Sequence, residues 1–291
     1  MQSDLQTLQR VNFVDYSKKV TEELGDLIDI VCTINEANLT AGFAHNFPSY
    51  PEGGMKTIMP YISEAAESCG TTIENFGPFL FGHPFKIRDC MMEAHVQTVP
   101  VIKKLLNKNQ PVGITLSIQD HQALEGGEAM ADKANEESVD YCLDLIKDDD
   151  FIGIQTYTRT SFGPEGVVRP NVNQENMLVM GYEYYPESLE NVLRYVSSKV
   201  DVPLIVTENG IATDDDNQRI EFVKTSLQGV QNCLDDGIDI RGYFYWSLLD
   251  NFEWVYGYKP HFGLVNVNLE NQKRFVKPSM KFYKDVIDNS K

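Results

Sequence analysis

Basic residues and long apolar runs are scarce in this sequence of 291 residues. Its 25 Lys and Arg residues are outnumbered by 43 Asp and Glu residues, which gives a formal net charge of −18. Such a charge opposes binding to nucleic acid or to an anionic membrane surface. No apolar run approaches the roughly 20 residues that a membrane-spanning helix needs. We therefore expect a neutral ligand, and neither a nucleic-acid partner nor a membrane partner.

Cysteine and histidine occur at five positions each, and neither type shows the spacing of metal ligands. The cysteine count is odd and no signal segment begins the sequence, so we expect reduced thiols in a cytoplasmic protein. The histidines form no i, i+4 pair, which gives a metal hydrolase little support; only His121, just past a predicted strand, merits inspection. Glycine-rich phosphate loops are missing as well. The sequence thus predicts no metal and no cofactor.

Apolar runs typical of strands alternate along the chain with helical patterns. We predict five strands, at residues 28–34, 112–118, 151–157, 203–207 and 239–246. Near-continuous apolar strands separated by helices indicate a parallel sheet with helices on its faces. Such a sheet is either doubly wound or closed into a barrel, and both kinds bind ligands at the carboxyl ends of their strands. No change in composition marks a boundary, so residues 1–291 are predicted to form one catalytic domain.

The segment between the first two predicted strands contains several turn-forming residues. Its prolines and glycines predict a loop over residues 39–57. Helices are predicted near residues 58–68 and 85–108, and Pro100 is expected to kink or split the second.

Two of the predicted strands end in a glutamate. One apolar run spans residues 30–36 and ends at Glu36, and the other spans residues 204–209 and contains Glu208. A charged side chain is seldom placed at the end of a buried strand unless it is paired or used. Two carboxylates that face one bond are what glycoside hydrolysis requires, about 5 to 5.5 Å apart in retaining enzymes. The alternative, that each glutamate only begins an exposed loop, carries less weight for two such ends than for one.

Further polar and aromatic residues lie at or near these strand ends. Asn35 and Asn209 are placed to donate hydrogen bonds to sugar hydroxyls or to the carboxylates. Tyr157 ends another strand, where its phenol is either a donor to a carboxylate or an ordinary half-buried tyrosine. Both tryptophans fall within residues 243–254, together with Glu253. Because aromatic faces stack on sugar rings, we favour a sugar platform over an aromatic core strand followed by a charged turn.

Three motifs together resemble those of glycoside hydrolase family 1, the family of β-glucosidases and related β-glycosidases. They cover residues 33–36 (TINE), 205–210 (IVTENG) and 246–254 (WSLLDNFEW), and the last two are highly specific. Weaker likenesses occur at residues 151–157 and 181–186, and the resemblance runs from about Phe13 to the C-terminus. It implies an α/β fold of the (β/α)8 TIM-barrel family.

The resemblance also implies a role for several residues. Glu36 is expected to be the general acid/base and Glu208 the nucleophile, with Tyr157 orienting it. Asn35 is expected to bind the sugar 2-hydroxyl. The non-reducing sugar is expected to be held by Trp246, Glu253 and Trp254. A carboxylate at position 253 would repel a phosphate, which speaks against the branch of the family that takes 6-phosphorylated sugars.

The sequence departs from the family pattern in three respects. Ala37 stands where the family usually has proline, and Gln155 stands where asparagine is common. Family members also carry three more β/α units before the equivalent of Phe13, and these units supply a Gln and a His that bind the same sugar. We therefore expect only the last five β/α units here, as the C-terminal part of such an enzyme.

A barrel without three of its units has consequences for function. Five strands leave two free edges and uncovered apolar surface, so we expect homo-oligomers or aggregates that form through those edges. The missing sugar contacts predict weak or absent turnover. Two function classes remain open: a retaining β-glycosidase acting on a neutral β-linked glucoside, galactoside or oligosaccharide, and an inactive or weakly active carbohydrate-binding or scaffold remnant of such an enzyme.

Overall fold

Five parallel strands form the central sheet of the computed structural model, which describes residues 2–46, 59–72, 76, 83–169 and 177–290. In chain order the strands of these residues are β1 (Val31–Cys32), β2 (Val112–Ser117), β3 (Asp120–Ala123), β4 (Ile152–Gln155), β5 (Arg159–Gly163), β6 (Gly166–Val168), β7 (Leu204–Asn209), β8 (Ile240–Tyr245), β9 (Val265–Val267) and β10 (Arg274–Val276). The central sheet has the spatial order β1-β2-β4-β7-β8. The five strands predicted from the sequence are therefore present and parallel, with β1 and β8 at the edges.

Helices pack on the central sheet and form the core with it. In the described residues they are α1 (Gln2–Leu24), α2 (Leu39–Asn46), α3 (Met59–Ser68), α4 (Pro84–Leu105), α5 (Glu128–Asn135), α6 (Tyr141–Ile146), α7 (Ser188–Lys199), α8 (Asp216–Asp235) and α9 (Pro278–Asn289), and a π-helical turn (Glu136–Asp140) joins α5 to α6. Leu116, Ile154 and Val206 of the strands are buried against helical residues such as Leu143 and Val192. No described helix has the length and apolar character needed to cross a lipid bilayer.

The sequence prediction missed two smaller sheets. One contains β3, β5 and β6, and the other is the antiparallel pair of β9 and β10. β3 begins with Asp120, His121 and Gln122, and this polar segment becomes a strand by pairing with Arg159 and the residues after it. Because the pairing partner is distant in sequence, the local pattern of β3 carries no strand signal.

The predicted loop over residues 39–57 is wrong for its first part. Residues Leu39–Asn46 form α2, in which Thr40 and Ala41 are buried. The short helix packs on α4. Residues 47–57 lie outside the described part of the chain, so the rest of that prediction is not tested.

α4 runs through Pro100 without a break, so of the two predicted effects of this proline, a kink or a split, the split does not occur. Proline removes the hydrogen bond to the carbonyl four residues earlier, here that of Val96. Both Pro100 and Val96 are on the exposed side of the helix, where water can solvate that carbonyl. Met92 and Ile102 are buried on the opposite side, so both halves of α4 are held on the same core.

Both edges of the central sheet carry exposed apolar side chains. Leu27 and Ile30 are exposed next to β1, and Phe244 and Leu248 are exposed at β8 and just after it. A cavity of about 460 Å³ lies between these edges, and Ile30, Phe244 and Leu248 contribute to its lining. The inner face of the sheet is thus open to solvent between the two edges within the described residues.

Candidate active site

Glu208 lies on β7 and is held by two side chains, one from the last residue of β4 and one from just beyond it. The phenol of Tyr157 donates a hydrogen bond to its Oε2, and the Nε2 of Gln155 donates one to its Oε1 over 2.9 Å. Gln155 pairs with Glu208 because the register of β4 and β7 shifts between Ile154 and Gln155. Each carboxylate oxygen of Glu208 therefore has its own donor.

Burial raises the pKa of Glu208, and the charge of Glu253 raises it further, while the hydrogen bond from Tyr157 lowers it. Burial and the charges of Glu208 and Glu36 hold the pKa of the Tyr157 phenol well above its usual value. The phenol consequently keeps its proton and remains a donor to Glu208.

Glu36 lies four residues beyond the end of β1, in a turn that is fixed to β2. Its backbone has a φ of +51°, a conformation that costs a residue with a side chain about 1 kcal/mol or more. The backbone N–H of Glu36 donates to the Thr115 Oγ1 over 3.1 Å, and that of Ala37 donates to the Thr115 carbonyl over 3.4 Å. A proline at position 37 would lack the second bond, so Ala37 gives this turn an additional tie to β2.

The carboxyl group of Glu36 has a pKa close to neutral pH. Burial raises the pKa of Glu36 to about 7, helped by the charges of Glu208 and Glu253, while a hydrogen bond from Ser117 lowers it. Near neutral pH a substantial fraction of Glu36 is therefore protonated and able to donate a proton. The two glutamates picked out by the sequence thus lie close enough for the charge of Glu208 to affect the pKa of Glu36.

Asn35 precedes Glu36 and joins the same network through its carbonyl oxygen. Its Oδ1 accepts hydrogen bonds from the Nε2 of Gln155 over 2.9 Å and from the Oγ1 of Thr115 over 3.2 Å. Asn35 itself is exposed, whereas Gln155 is fully buried. Side chains from the ends of β1, β4 and β7 are in this way connected by direct hydrogen bonds.

The aromatic segment after β8 supplies a third carboxylate to this site. Burial raises the pKa of Glu253, and a hydrogen bond from the indole of Trp246 offsets part of that rise. Since the charge of Glu253 raises the pKa values of Glu36 and Glu208, all three carboxylates share one site. Trp254 is 77% exposed, and within the described residues no hydrogen bond or charge interaction connects it to these carboxylates.

Asn209 and His121, two residues that the sequence raised as possible site residues, form hydrogen bonds to other parts of the protein. Asn209 is buried, with its amide donating to the Thr156 carbonyl and its Oδ1 accepting from Tyr243, so it is not placed to bind a sugar. His121 hydrogen-bonds Asn135 and lies edge-on against a phenylalanine ring, and burial lowers its pKa to about 4. Within the described residues no group of three or more His, Cys, Asp or Glu side chains is arranged to hold a metal ion.

Three contributors to the site were given no role in it from the sequence. Ser117 and Gln155 end strands β2 and β4, and a polar residue at a strand end is the same signal that marked Glu36. Tyr182 has its ring centroid 6.3 Å from that of Tyr157, and burial together with the charge of Glu36 raises its pKa. It falls in the 181–186 segment, which the sequence offered only as weak support.

Comparisons with known proteins agree on one family. The family model described as glycosyl hydrolase family 1 matches residues 141–291, slightly more than half of the chain. The β-galactosidase of Saccharolobus solfataricus is 27% identical over 98% of this chain and 60% of its own length. The chain therefore spans about three fifths of the length of that curated relative.

Solved structures give the same picture for the fold. The β-glycosidase BGL167 superposes with a TM-score of 0.87 and 36% identity, over 95% of this chain and 66% of that one. The β-glucosidase 1317 superposes with a TM-score of 0.85 and 33% identity, over 95% of this chain and 67% of that one. These neighbours confirm the predicted fold class, with the central sheet as five strands of a (β/α)8 barrel.

Proposed function

The chain belongs to glycosyl hydrolase family 1, and from this membership we propose that it acts as a retaining β-glycosidase. Its substrate is a neutral β-glycoside or oligosaccharide, from which it removes the terminal non-reducing sugar. The observation that carries the proposal is the pair formed by Glu36, with a pKa raised to about 7, and Glu208, held by two donors. One carboxyl that keeps its proton beside another that is fixed in place is the arrangement that double displacement needs.

In the first step Glu208 attacks the anomeric carbon while the glycosidic bond breaks. Glu36 transfers its proton to the leaving oxygen, so the aglycone departs as a neutral alcohol. A covalent bond now joins Glu208 to the sugar. Tyr157 and Gln155 keep the attacking carboxylate oriented, because each donates to a different oxygen.

In the second step the ionised Glu36 takes a proton from a water molecule. The water oxygen bonds to the anomeric carbon as the ester bond to Glu208 breaks, which restores both carboxyl groups to their starting states. Two inversions at the same carbon give net retention of configuration.

The remaining site residues hold the sugar in this proposal. Asn35 binds the 2-hydroxyl, and Glu253 accepts hydrogen bonds from two hydroxyls farther from the bond that breaks. The indole rings of Trp246 and Trp254 form the apolar platform beneath the ring. Three carboxylates in one site disfavour a phosphorylated sugar, which supports a neutral substrate.

The open barrel supports a second candidate, a carbohydrate-binding or scaffold protein with little or no turnover. The apolar cavity of about 460 Å³ and the exposed edge residues mark a surface that further β/α units cover in a closed barrel. In this alternative the platform after β8 still binds sugar, but substrate is not held firmly enough for efficient chemistry.

Labelling with an activated 2-deoxy-2-fluoro-β-glucoside separates the two candidates. The glycosidase proposal predicts hydrolysis of an aryl β-glucoside and a sugar adduct on Glu208, detected by peptide mass spectrometry. Glu208→Gln should abolish both, whereas Glu270→Gln, a change at an exposed carboxylate, should leave both intact. Sugar binding without hydrolysis or adduct, unchanged in Glu208→Gln, would instead support the binding protein.

We also propose that residues 1–291 act as one catalytic domain in cytoplasmic carbohydrate metabolism. All five cysteines are free thiols, as suits a reducing compartment. Self-association through β1 and β8 is part of this proposal.

A further inference from the structure

Gln155 joins the two sides of the active site. It is 1% exposed, and its Nε2 donates one hydrogen bond to the Asn35 Oδ1 and another to the Glu208 Oε1, both over 2.9 Å. Those partners stand at the ends of β1 and β7, while Gln155 stands on β4 between them. No other side chain among the described residues donates to both.

The charge of Glu208 determines the orientation of the side-chain amides of Gln155 and Asn35. An ionised carboxylate only accepts hydrogen bonds, so Gln155 must turn its NH2 group toward Glu208. The same NH2 group faces Asn35, which must therefore present its Oδ1, as it also does to Thr115. The Nδ2 of Asn35 is left pointing away from this network, and it has no partner within the described residues.

Gln155 is unfavourable for the stability of the folded chain. Its Oε1 is buried and makes no hydrogen bond to the described residues. An acceptor buried without a partner opposes folding, and an apolar side chain of the same length would avoid that loss. The arrangement around Gln155 is therefore better explained by the site than by packing.

We propose that Gln155 is a positioning residue that makes the orientation of Asn35 depend on the charge of Glu208. This proposal rests on the proposed function. While Glu208 is ionised, Gln155 holds Asn35 with its NH2 group toward the sugar 2-hydroxyl. Once Glu208 is bonded to the sugar its charge is gone, so its oxygens still accept hydrogen bonds but more weakly, and Gln155 and Asn35 are held less firmly. Hydrogen bonds to the 2-hydroxyl strengthen in the transition state, so the orientation matters most before the covalent bond has formed.

Kinetics on two substrates that differ only in the 2-hydroxyl test whether Gln155 acts through Asn35. Gln155→Met keeps the length of the side chain and removes both donors. We expect its kcat/KM to fall about tenfold more for an aryl β-glucoside than for the 2-deoxy analogue, which has no 2-hydroxyl to bind. In an Asn35→Ala background that difference should vanish. Equal losses on both substrates, or effects of the two changes that simply add, would overturn the proposal.

A matched control separates positioning from stability. Gln110 is also a buried glutamine, and its Nε2 donates to the carbonyls of Gly25 and Ile28 over 3.0 and 3.2 Å. Gln110→Met should lower stability yet leave the ratio of the two kcat/KM values unchanged. A changed ratio in this control would show that loss of stability alone moves the readout.

A measurement without turnover keeps the proposal testable if the chain proves inactive. Side-chain amide resonances of Asn35, followed by NMR in the full chain, should shift in Glu208→Gln and should not shift when the same change is made in Gln155→Met. A shift that persists without Gln155, or none in either case, contradicts the coupling. Absence of both hydrolysis and a Glu208 adduct would overturn the proposed function, and the resonances would still decide the role of Gln155.

Discussion

Glu36 keeps its proton because its surroundings oppose a negative charge. Burial acts most strongly, and the carboxylates of Glu208 and Glu253 add repulsion. Ser117 works in the opposite direction by donating a hydrogen bond to the charged form. The site therefore holds one carboxyl that retains a proton near neutral pH beside another that accepts two hydrogen bonds, as the proposed roles of Glu36 and Glu208 require.

The raised pKa of Glu36 makes stability depend on pH. The folded-state pKa is about 7 and the ordinary value is 4.5, so the folded protein binds the proton more tightly than the unfolded chain does. That contribution is fully present below pH 4.5 and is lost as pH rises through 7. Glu36→Gln removes the charge, so the variant should gain up to about 3 kcal/mol in free energy of unfolding over the native chain between pH 5 and pH 8.

Urea unfolding at these two pH values measures the difference. Glu270→Gln, at an exposed position, serves as the control and should shift stability equally at both. A Glu36→Gln variant whose advantage is the same at pH 5 and pH 8 would show that Glu36 is not perturbed by folding.

Individual site residues differ in how far the sequence reveals them. Glu36 and Glu208 stand out because each lies at the end of a short apolar run, and Tyr157 follows the same rule. The contact of Gln155 with Glu208 could not be predicted, because it depends on the register shift between β4 and β7. Such a shift is set by packing across the sheet and leaves no trace in either strand alone.

At the scale of elements, Asn38 ties the turn after β1 to its neighbours. It is completely buried, and its Nδ2 donates to the carbonyls of Ser117 and Ser138 over 2.8 and 2.9 Å. Its Oδ1 accepts from the backbone N–H of Ser117 over 2.8 Å. One side chain thus holds β2, the π-helical turn and the segment that carries Glu36.

Replacing Asn38 should therefore destabilise the protein. Asn38→Ala removes three hydrogen bonds to backbone groups of Ser117 and Ser138 at a completely buried position, and we expect a loss of about 2 to 4 kcal/mol in free energy of unfolding. Asn232→Ala on α8, which removes two hydrogen bonds to side chains at partly or fully exposed positions, should cost less than about 1 kcal/mol. Thermal and urea unfolding give both values, and equal losses would argue against Asn38 as an anchor.

The strands and helices differ in how well local sequence patterns predict them. β2, β4 and β7 were predictable because their apolar runs are buried by helices whatever else the chain does. β3 was not, since its polar residues become a strand only beside β5. α4 continues through Pro100 because burial on its other side outweighs one missing hydrogen bond.

For the molecule as a whole, the open sheet edges are the surfaces on which the proposed self-association depends. Phe244 on β8 is 57% exposed and lines the cavity between the edges. Edge strands with exposed apolar residues tend to pair with other chains, and lysine at an edge discourages this.

Phe244→Lys should consequently reduce self-association. We expect the native chain to show concentration-dependent oligomers in light scattering, and this variant to show fewer. Leu269→Lys removes an exposed apolar residue of similar exposure on the turn between β9 and β10, so it should change little. A native chain that is monomeric at every concentration would refute association through the edges.

The placement of both tryptophans in one segment has an optical consequence. The indole of Trp246 is hydrogen-bonded to Glu253, and that of Trp254 is largely open to water. Because these are the only two indoles in the chain, all of its tryptophan emission originates beside the carboxylates. A ligand that covers the exposed indole of Trp254 would shift the tryptophan emission to shorter wavelengths. Ligand binding can therefore be followed by intrinsic fluorescence, even in a variant that does not hydrolyse its substrate.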